Sequence, residues 1–262
     1  MRAFPILEAC QIVKELGQGE GKVQALKGVD LALYEGEFTL LMGPSGSGKT
    51  TLLSILGCLL TPTSGTLTLG GESVVHRSAE DLADLRRRHL GFIFQSYNLF
   101  PTLSALDNVR LGLDVRGFSS RECKERAAEA LIEVGLGHRL KAYPGTLSGG
   151  EKQRVAIARA IAPEPPVILA DEPTAALDTE NGHAIMELLS RVARKNGRAV
   201  LAVTHDPRTI PFADRVIEIE DGIISGERKK HAATVIPARP RQPQAAHGAP
   251  APYQERKRQA HA

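Results

Sequence analysis

The sequence predicts an α/β fold whose core is a mostly parallel β-sheet. Three short, largely apolar stretches are typical of strands that are buried on both faces: Phe38–Met42, Val167–Ala170 and Ala199–Val203. Helical patterns separate these stretches, and strands that alternate with helices form parallel sheets. The stretch from about residue 103 to about residue 160 has a nearly continuous helical pattern. It predicts a helical subdomain inserted into the α/β core.

The N-terminal part is predicted to be an antiparallel β subdomain. Ile6–Ala9 and Gln24–Leu33 are candidate strands, and the glycine-rich segment Gly17–Gly21 is a loop between them. A helix is predicted after Phe38–Met42, because five leucines recur there at helical spacing and would share one face. These leucines are Leu52, Leu53, Leu56, Leu59 and Leu60.

Periodicity and turn residues predict the remaining elements in chain order. They are a hairpin at Gly65–Val75, a charged helix at Asp81–His89, a short buried strand at Gly91–Gln95, a helix at His183–Arg194, and a last hairpin that joins Arg215–Glu220 to Ile223–Ile224. Turn-forming residues interrupt the central helical stretch at Gly117, Gly135 and Pro144–Gly145.

Charge is unevenly distributed along the chain. The sequence has 33 basic and 30 acidic residues, a net charge of +3. From Arg228 onward the chain carries +7, so residues 1–227 carry −4. A mildly acidic body gives no electrostatic argument for nucleic-acid binding, and we expect no such partner. No apolar run approaches the roughly 18 residues that a membrane-spanning helix needs.

Residues 228–262 form a basic tail rich in proline and alanine, and we expect it to be disordered. Two interpretations are open for its basic clusters, Arg228–Lys230 and Arg256–Arg258. The tail is either a solvated, dispensable extension, or it helps to hold the protein at an anionic membrane surface.

Residues Gly43–Thr50, here called the phosphate loop, fit the pattern G-x-x-x-x-G-K-[ST] between a predicted strand and a predicted helix. Glycines let the backbone curl so that successive N–H groups point at phosphate oxygens, and the helix dipole adds to the attraction. The lysine is expected to reach the β- and γ-phosphates, and the threonine hydroxyl to ligate Mg²⁺. This motif predicts a P-loop NTPase core. The predicted ATP-binding residues here are Gly43, Pro44, Ser45, Gly46, Ser47, Gly48, Lys49, Thr50 and Thr51.

Two acids end the apolar stretch Val167–Ala170. A buried parallel strand would deliver both carboxylates to the same sheet edge as the phosphate loop. We expect Asp171 to hold Mg²⁺ and its waters, and Glu172 to act as the general base on the attacking water.

The segment Ser148–Glu151 fits a capping box, with Ser148 as N-cap and Glu151 three residues later. A well-made helix start is sufficient to explain it. Alternatively, Gly149 and Gly150 leave this helix start open to an anion. One phosphate loop and one such helix start in each chain would then complete each other in a head-to-tail homodimer with two composite ATP pockets.

The ordered motifs resemble those of an ABC transporter ATPase subunit over roughly residues 6–226. They are the phosphate loop, Gly91–Gln95, Leu147–Arg154, Leu169–Thr174, Ala176–Asp178 and Val203–Asp206. Gln24–Val29 and Ser96–Val109 are similar to the subfamily of lipoprotein-release and macrolide-export transporters. The resemblance implies an ATPase domain at 6–226, with a helical subdomain at about 97–162.

The resemblance also implies roles for single residues. Gln95 would contact Mg²⁺ or the attacking water and sense a transmembrane partner. Ser148 and Gly150 would hold the γ-phosphate of the opposite subunit, and Asp178 would link the two pockets. His205 would contact the γ-phosphate. The implied partner is a transmembrane permease subunit, and the implied location is peripheral, at the cytoplasmic face of the cell membrane.

The chain departs from the family pattern at two positions. Glu151 stands where the commonest family form has glutamine, and Leu16 stands where the family usually has an aromatic residue that stacks on adenine. A leucine gives apolar contact without ring stacking. An alternative function is a soluble ABC ATPase that serves as an assembly or scaffold factor. The transported substrate and its direction would be set by the partner rather than by this chain.

Overall fold

A computed structural model describes residues 4–230 and 236–237. Its strands are β1 (Leu7–Leu16), β2 (Val23–Leu33), β3 (Phe38–Met42), β4 (Ser64–Leu69), β5 (Glu72–Ser73), β6 (Leu90–Ile93), β7 (Val167–Asp171), β8 (Ala199–Thr204), β9 (Arg215–Glu220), β10 (Ile223–Lys229) and β11 (Ile236–Pro237). Its α-helices are α1 (Lys49–Leu56), α2 (Ala79–His89), α3 (Ala105–Asp114), α4 (Ser120–Glu133), α5 (Gly149–Ile161) and α6 (Thr179–Asn196).

The strands form two sheets. The first is antiparallel, in the order β2-β1-β4-β5, and includes the N-terminal region as predicted. The second has the order β11-β10-β9-β3-β8-β7-β6, and its strands from β9 to β6 are parallel. This arrangement confirms the predicted α/β fold.

Alternation along the buried strands divides the hydrophobic residues between two cores, because successive side chains point to opposite faces of a sheet. Leu41, Leu169 and Leu201 pack with α1 and the antiparallel sheet. Leu40 and Ala170, on the other face, pack with helices α3 to α6. The parallel sheet therefore lies between the antiparallel sheet and the helical region.

The central helical stretch divides into α3, α4 and α5 at the predicted interruptions. Gly117 and Gly135 follow α3 and α4 in the left-handed conformation, with φ of 82° at both. Helices α4 and α5 each begin at a serine whose hydroxyl accepts a backbone N–H bond. Helix α6 begins four residues before the predicted His183, because the Asp178 carboxylate caps it by accepting from the Asn181 N–H.

The predicted five-leucine face after the phosphate loop is wrong in its second half. Helix α1 ends at Leu56, because Gly57 caps it and Cys58 turns into the left-handed region with φ of 55°. Leu59 is consequently 54% exposed, and Leu60 packs only partly against the core.

The start of the predicted tail also needs correction. Arg228 and Lys229 complete strand β10, where they pair with Val216 and Arg215 of β9. The Arg228 guanidinium also bonds the Glu218 carboxylate, which favours the extended sheet. Ile236–Pro237 pairs with β10. The predicted disorder of residues 231–235 and 238–262 concerns residues outside the described part of the chain.

Candidate functional site

The carboxyl ends of four parallel strands meet at one sheet edge. Met42, which ends β3, is paired with Thr204 at the end of β8. Asp171, which ends β7, is paired with Val203 of β8, and Ile93 of β6 with Ala170 of β7. The phosphate loop follows β3, Glu172 follows Asp171 at the end of β7, and His205 and Gln95 come after β8 and β6. The fold therefore brings these predicted site residues to one edge, where ligands of open α/β sheets bind.

The phosphate loop is packed so closely that two of its glycines have no room for a side chain. A Cβ on Gly43 would lie 2.1 Å from the carbonyl oxygen of Ile219. Gly48 has a φ of 99°, and a Cβ there would lie 2.7 Å from the carbonyl oxygen of Ala25. Gly48 is also the N-cap of α1, and no side chain caps this helix start. The first N–H groups of α1 therefore remain free to bind an anion.

Lys49 and Ser47 put further polar groups inside the loop. The Lys49 ammonium donates to the carbonyl oxygens of Gly43 at 2.8 Å and Pro44 at 2.7 Å. The Ser47 hydroxyl is buried and has no hydrogen-bond partner among the described residues. A buried unpaired hydroxyl destabilises a folded protein, so this group fits a loop that is completed by a ligand.

Asp171 is a half-buried acid beside the loop. Burial is the largest cause that raises the pKa of its carboxyl group, followed by the negative charge of Glu172. The nearby Lys49 ammonium and Thr50 hydroxyl act in the opposite direction. One oxygen, Oδ1, is buried without a hydrogen-bond partner. An unpaired carboxylate oxygen beside a threonine hydroxyl fits Mg²⁺, which prefers hard oxygen ligands.

Glu172 and His205 form a hydrogen-bonded pair. Glu172 Oε1 lies 2.9 Å from His205 Nδ1. The Glu172 side chain is mostly buried, whereas that of His205 is 68% exposed. Glu172 has a left-handed φ of 44°, and its N–H is held by the carbonyl oxygen of Val203 at 3.0 Å. Such strained backbone persists only where the surroundings hold it, and it concentrates at functional sites.

Gln95 and Leu16 are at the border of this edge. Gln95 is exposed, two residues beyond the end of β6. Leu16 ends β1 opposite Val23 and is 41% exposed. Ala25, two residues after Val23 on β2, lies with its carbonyl oxygen against Gly48 of the phosphate loop.

A second group of predicted residues surrounds the start of α5. The Ser148 hydroxyl accepts from the Glu151 N–H at 3.2 Å, and the Glu151 carboxylate accepts from the Ser148 N–H at 2.9 Å. Arg139 also donates to Glu151 at 3.0 Å. The backbone bond from Ser148 is the largest cause that lowers the pKa of Glu151. Glu151 is therefore fully engaged within its own chain.

The starts of α5 and α6 lie against each other. A Cβ on Gly150 would lie 2.7 Å from the side-chain oxygen of Asn181, and the Asn181 amide donates to Asp178 at 2.7 Å. Gly149 faces Leu177 and the Tyr97 hydroxyl, each 3.3 Å from the place of a Cβ. Among the described residues, no hydrogen bond or ion pair joins Ser148–Glu151 to the phosphate loop. The chain thus presents two separate groups of predicted site residues.

Sequence reasoning missed three residues that shape these groups: Asn181, Tyr97 and Arg159. Tyr97 lies within Ser96–Val109, which indicated only a subfamily resemblance, and Asn181 and Arg159 lie outside the interpreted motifs. The contacts of all three come from packing between helices and loops. A left-handed tyrosine has no sequence signal comparable to that of a glycine.

Comparisons with known proteins agree with this geometry. Residues 26–175 match the family model described as ABC transporter. An ABC transporter ATP-binding protein of Thermotoga maritima is 46% identical over 225 residues, which are 86% of this chain and 96% of that protein. The macrolide export ATP-binding/permease protein MacB of Brucella melitensis is 46% identical over 230 residues, which are 88% of this chain and 35% of MacB. This chain thus spans about a third of the length of that relative.

Solved structures are similar as well. The dimeric structure of MJ0796, a bacterial ABC transporter cassette, has a TM-score of 0.79 at 42% identity and covers 86% of this chain and 99% of that one. A post-hydrolysis dimer of the same cassette bound to ADP and Pi gives the same values. In the described part of this chain, no helix has the length and apolar character to cross a bilayer. The chain therefore belongs to the ABC transporter family, as one of its ATP-binding and ATP-hydrolysing cassettes.

Proposed function

We propose that this protein hydrolyses Mg²⁺-ATP between two copies of itself and thereby drives a separate transmembrane partner. The observation that carries the proposal is the convergence, at one sheet edge, of an uncapped phosphate loop, a carboxylate with an unpaired oxygen and a hydrogen-bonded Glu172–His205 pair.

The phosphate loop would bind the triphosphate. Residues Gly43–Thr51 offer backbone N–H groups, and the α1 dipole favours the negative charge. The Lys49 ammonium already lies within the loop, bonded to two carbonyl oxygens. Phosphate oxygens can replace these acceptors with little movement of the side chain.

Thr50, Asp171 and Gln95 would hold Mg²⁺ and its waters. The bound ion supplies positive charge where the transferred phosphoryl group accumulates negative charge. Glu172 would accept a proton from the attacking water. His205 would hold the Glu172 carboxylate in place through the 2.9 Å contact and present its other ring nitrogen toward the γ-phosphate.

A second copy would complete each pocket. The helix start formed by Ser148, Gly149 and Gly150 is separate from the phosphate loop of the same chain, since no hydrogen bond or ion pair among the described residues joins the two. Ser148 is exposed. A head-to-tail dimer would set this helix start against the partner's nucleotide, with Asp178 between the pockets. The dimeric cassette that this chain resembles supports the arrangement.

The proposed partner is a permease with its own membrane-spanning helices, and the proposed location is peripheral, at the cytoplasmic face of the cell membrane. The support comes from relatives named as export ATP-binding/permease proteins, in which a segment like this chain is about a third of the whole. The transport process that we propose is export or lipoprotein release, with Mg²⁺-ATP as the energy source.

The test is Glu172→Gln, with Glu129→Gln as the matched control, since Glu129 is exposed on α4 and away from the sheet edge. Removal of the base should slow ATP hydrolysis by about 10²–10⁴-fold and leave ATP binding intact. An ATP-bound dimer should then accumulate, as measured by size-exclusion chromatography with light scattering. Near-normal turnover in purified Glu172→Gln would remove Glu172 from the base role, and an inactive wild-type protein would contradict the function as a whole.

A further inference from the structure

The turn that follows Gln95 has an unusual backbone. Tyr97 and Asn98 are consecutive residues with left-handed φ angles of 62° and 48°. Asparagine tolerates this conformation, but for a bulky tyrosine it is strained and needs support from its surroundings. The N–H groups of the turn are held locally, by the carbonyl oxygens of Phe94 at 3.0 Å and Ser96 at 2.6 Å.

The carbonyl groups of the same turn are held by a residue of another element. Arg159, near the end of α5, donates from Nη1 to the carbonyl oxygen of Asn98 at 2.5 Å and from Nη2 to that of Tyr97 at 2.7 Å. A planar guanidinium that donates two bonds fixes both the position and the orientation of its acceptors. A lysine has a single point charge and cannot reproduce this geometry.

The Tyr97 side chain reaches the opposite end of the same helix. Its hydroxyl lies 3.3 Å from the place that a Cβ of Gly149 would take, in the first turn of α5. The turn at 97–98 is therefore bonded to the last turns of α5 and in contact with the first. These contacts join the turn to both ends of α5.

We propose that Arg159 is a positioning residue, which makes α5 and the turn at 97–98 one rigid unit. This unit sets the position of Gln95 when the start of α5 engages the partner's nucleotide. This inference rests on the proposed roles of Gln95 and Ser148. Arg159 does not touch the reacting atoms, and its effect on hydrolysis acts through Gln95.

The test compares Arg159→Lys with Arg116→Lys. Arg116 is the matched control, because it too donates to two backbone carbonyl oxygens, each at 3.0 Å, but its acceptors are Pro163, just after α5, and Leu90, at the start of β6, and not the turn at 97–98. Arg159→Lys should lower kcat about tenfold while KM for ATP changes less than twofold, since misplacement of a site group lowers the rate more than it lowers binding. Arg116→Lys should have the same kcat as the wild-type protein. Hydrogen–deuterium exchange should rise at residues 94–99 only in Arg159→Lys.

A double-mutant cycle then separates positioning from a general structural role. If Arg159 acts through Gln95, the double variant Gln95→Ala/Arg159→Lys should be no slower than Gln95→Ala alone. Additive losses, or equal effects of the two lysine variants on kcat and exchange, would overturn the inference while leaving the ATPase function intact. A fully active Gln95→Ala would overturn it as well. A wild-type protein without ATPase activity would instead contradict the proposed function, and the exchange comparison would still report on the rigid unit.

Discussion

Two helix starts in this molecule differ in whether their polar groups are paired within the chain. The start of α1 has a left-handed glycine as its N-cap and no side-chain cap, and the nearby Ser47 hydroxyl and Asp171 oxygen are buried without partners. The start of α5 has a complete capping box, closed by Ser148 and Glu151 and reinforced by Arg139. The first region therefore keeps polar groups without partners, whereas the second is satisfied within its own chain.

The capping box of α5 does not itself indicate a ligand. Ser78 with Asp81 at α2 and Ser119 with Glu122 at α4 form the same reciprocal bonds. What distinguishes α5 is the pair Gly149–Gly150, whose missing side chains admit the α6 start to close contact. The comparison teaches that the residues packed around a helix start, rather than its cap alone, indicate a functional role. It also teaches that polar groups left unpaired lower the stability of the nucleotide-free protein.

Of the three changes that test this comparison, a substitution at the start of α5 should reduce ATP hydrolysis the most. Ser148→Arg should reduce hydrolysis by roughly 10²–10³-fold, because a large side chain would block the donors to the γ-phosphate of the opposite subunit. Monomer binding of ATP, measured by equilibrium dialysis, should change little. Ser78→Arg is the control for loss of a cap with the same substitution. When Ser148→Arg is mixed with Lys49→Ala, one pocket of each heterodimer is intact, and hydrolysis should return. If no mixture regains activity, the head-to-tail arrangement is wrong.

Alanine substitutions at two capping serines separate the structural role of the α5 start from its proposed role in ATP hydrolysis. Ser148→Ala and Ser78→Ala each remove one cap, so each should lower the free energy of unfolding by about 1 kcal/mol in urea denaturation. Only Ser148→Ala should lower kcat, by about tenfold, since only this serine is proposed to contact nucleotide. Equal stability losses with unchanged kcat in both variants would assign Ser148 to capping alone.

The smallest expected effect is a change in thermal stability on substitution of Asp171, whose carboxylate oxygen is unpaired beside the phosphate loop. Asp171→Asn should raise the Tm of the nucleotide-free protein by about 2–4 °C, because relief of a buried, poorly paired charge stabilises by about 1 kcal/mol. The same variant should lose the Mg²⁺-dependent part of the thermal shift caused by ATP. The control is Asp84→Asn, since Arg87 and Arg88 lower the pKa of exposed Asp84 and no gain is expected there.

The pH dependence of this effect has a defined sign. The folded-state pKa of Asp171 is raised above its unfolded value, so its contribution favours the folded protein below the unfolded pKa and is lost as pH rises through the folded one. The Tm difference between Asp171→Asn and wild type should therefore grow from pH 4 to pH 8. A difference that shrinks over this range in differential scanning calorimetry would contradict the assignment.

Much of the fold could be predicted, because buried strands and capping residues are local features. Phe38–Met42 was predicted with the bounds that β3 has, and the interruptions of the helical stretch were found from glycine and proline. The error at Leu59 arose because leucine spacing alone does not reveal the left-handed Cys58 that ends α1. The start of α6 was missed because Asp178 had been interpreted only as a link between pockets, although it also caps the helix.

The sequence by itself determined the nucleotide-binding chemistry, because glycine freedom, the lysine charge and the threonine hydroxyl are carried by eight consecutive residues whose local context suffices. Only the tertiary structure decided which distant groups meet. Glu172 and His205 are 33 positions apart, and Arg159 and Asn98 are 61 apart. Their contacts depend on the strand order β3-β8-β7-β6 and on the packing of α5 against the turn after Gln95, and distances of this kind follow from the whole core rather than from any one segment.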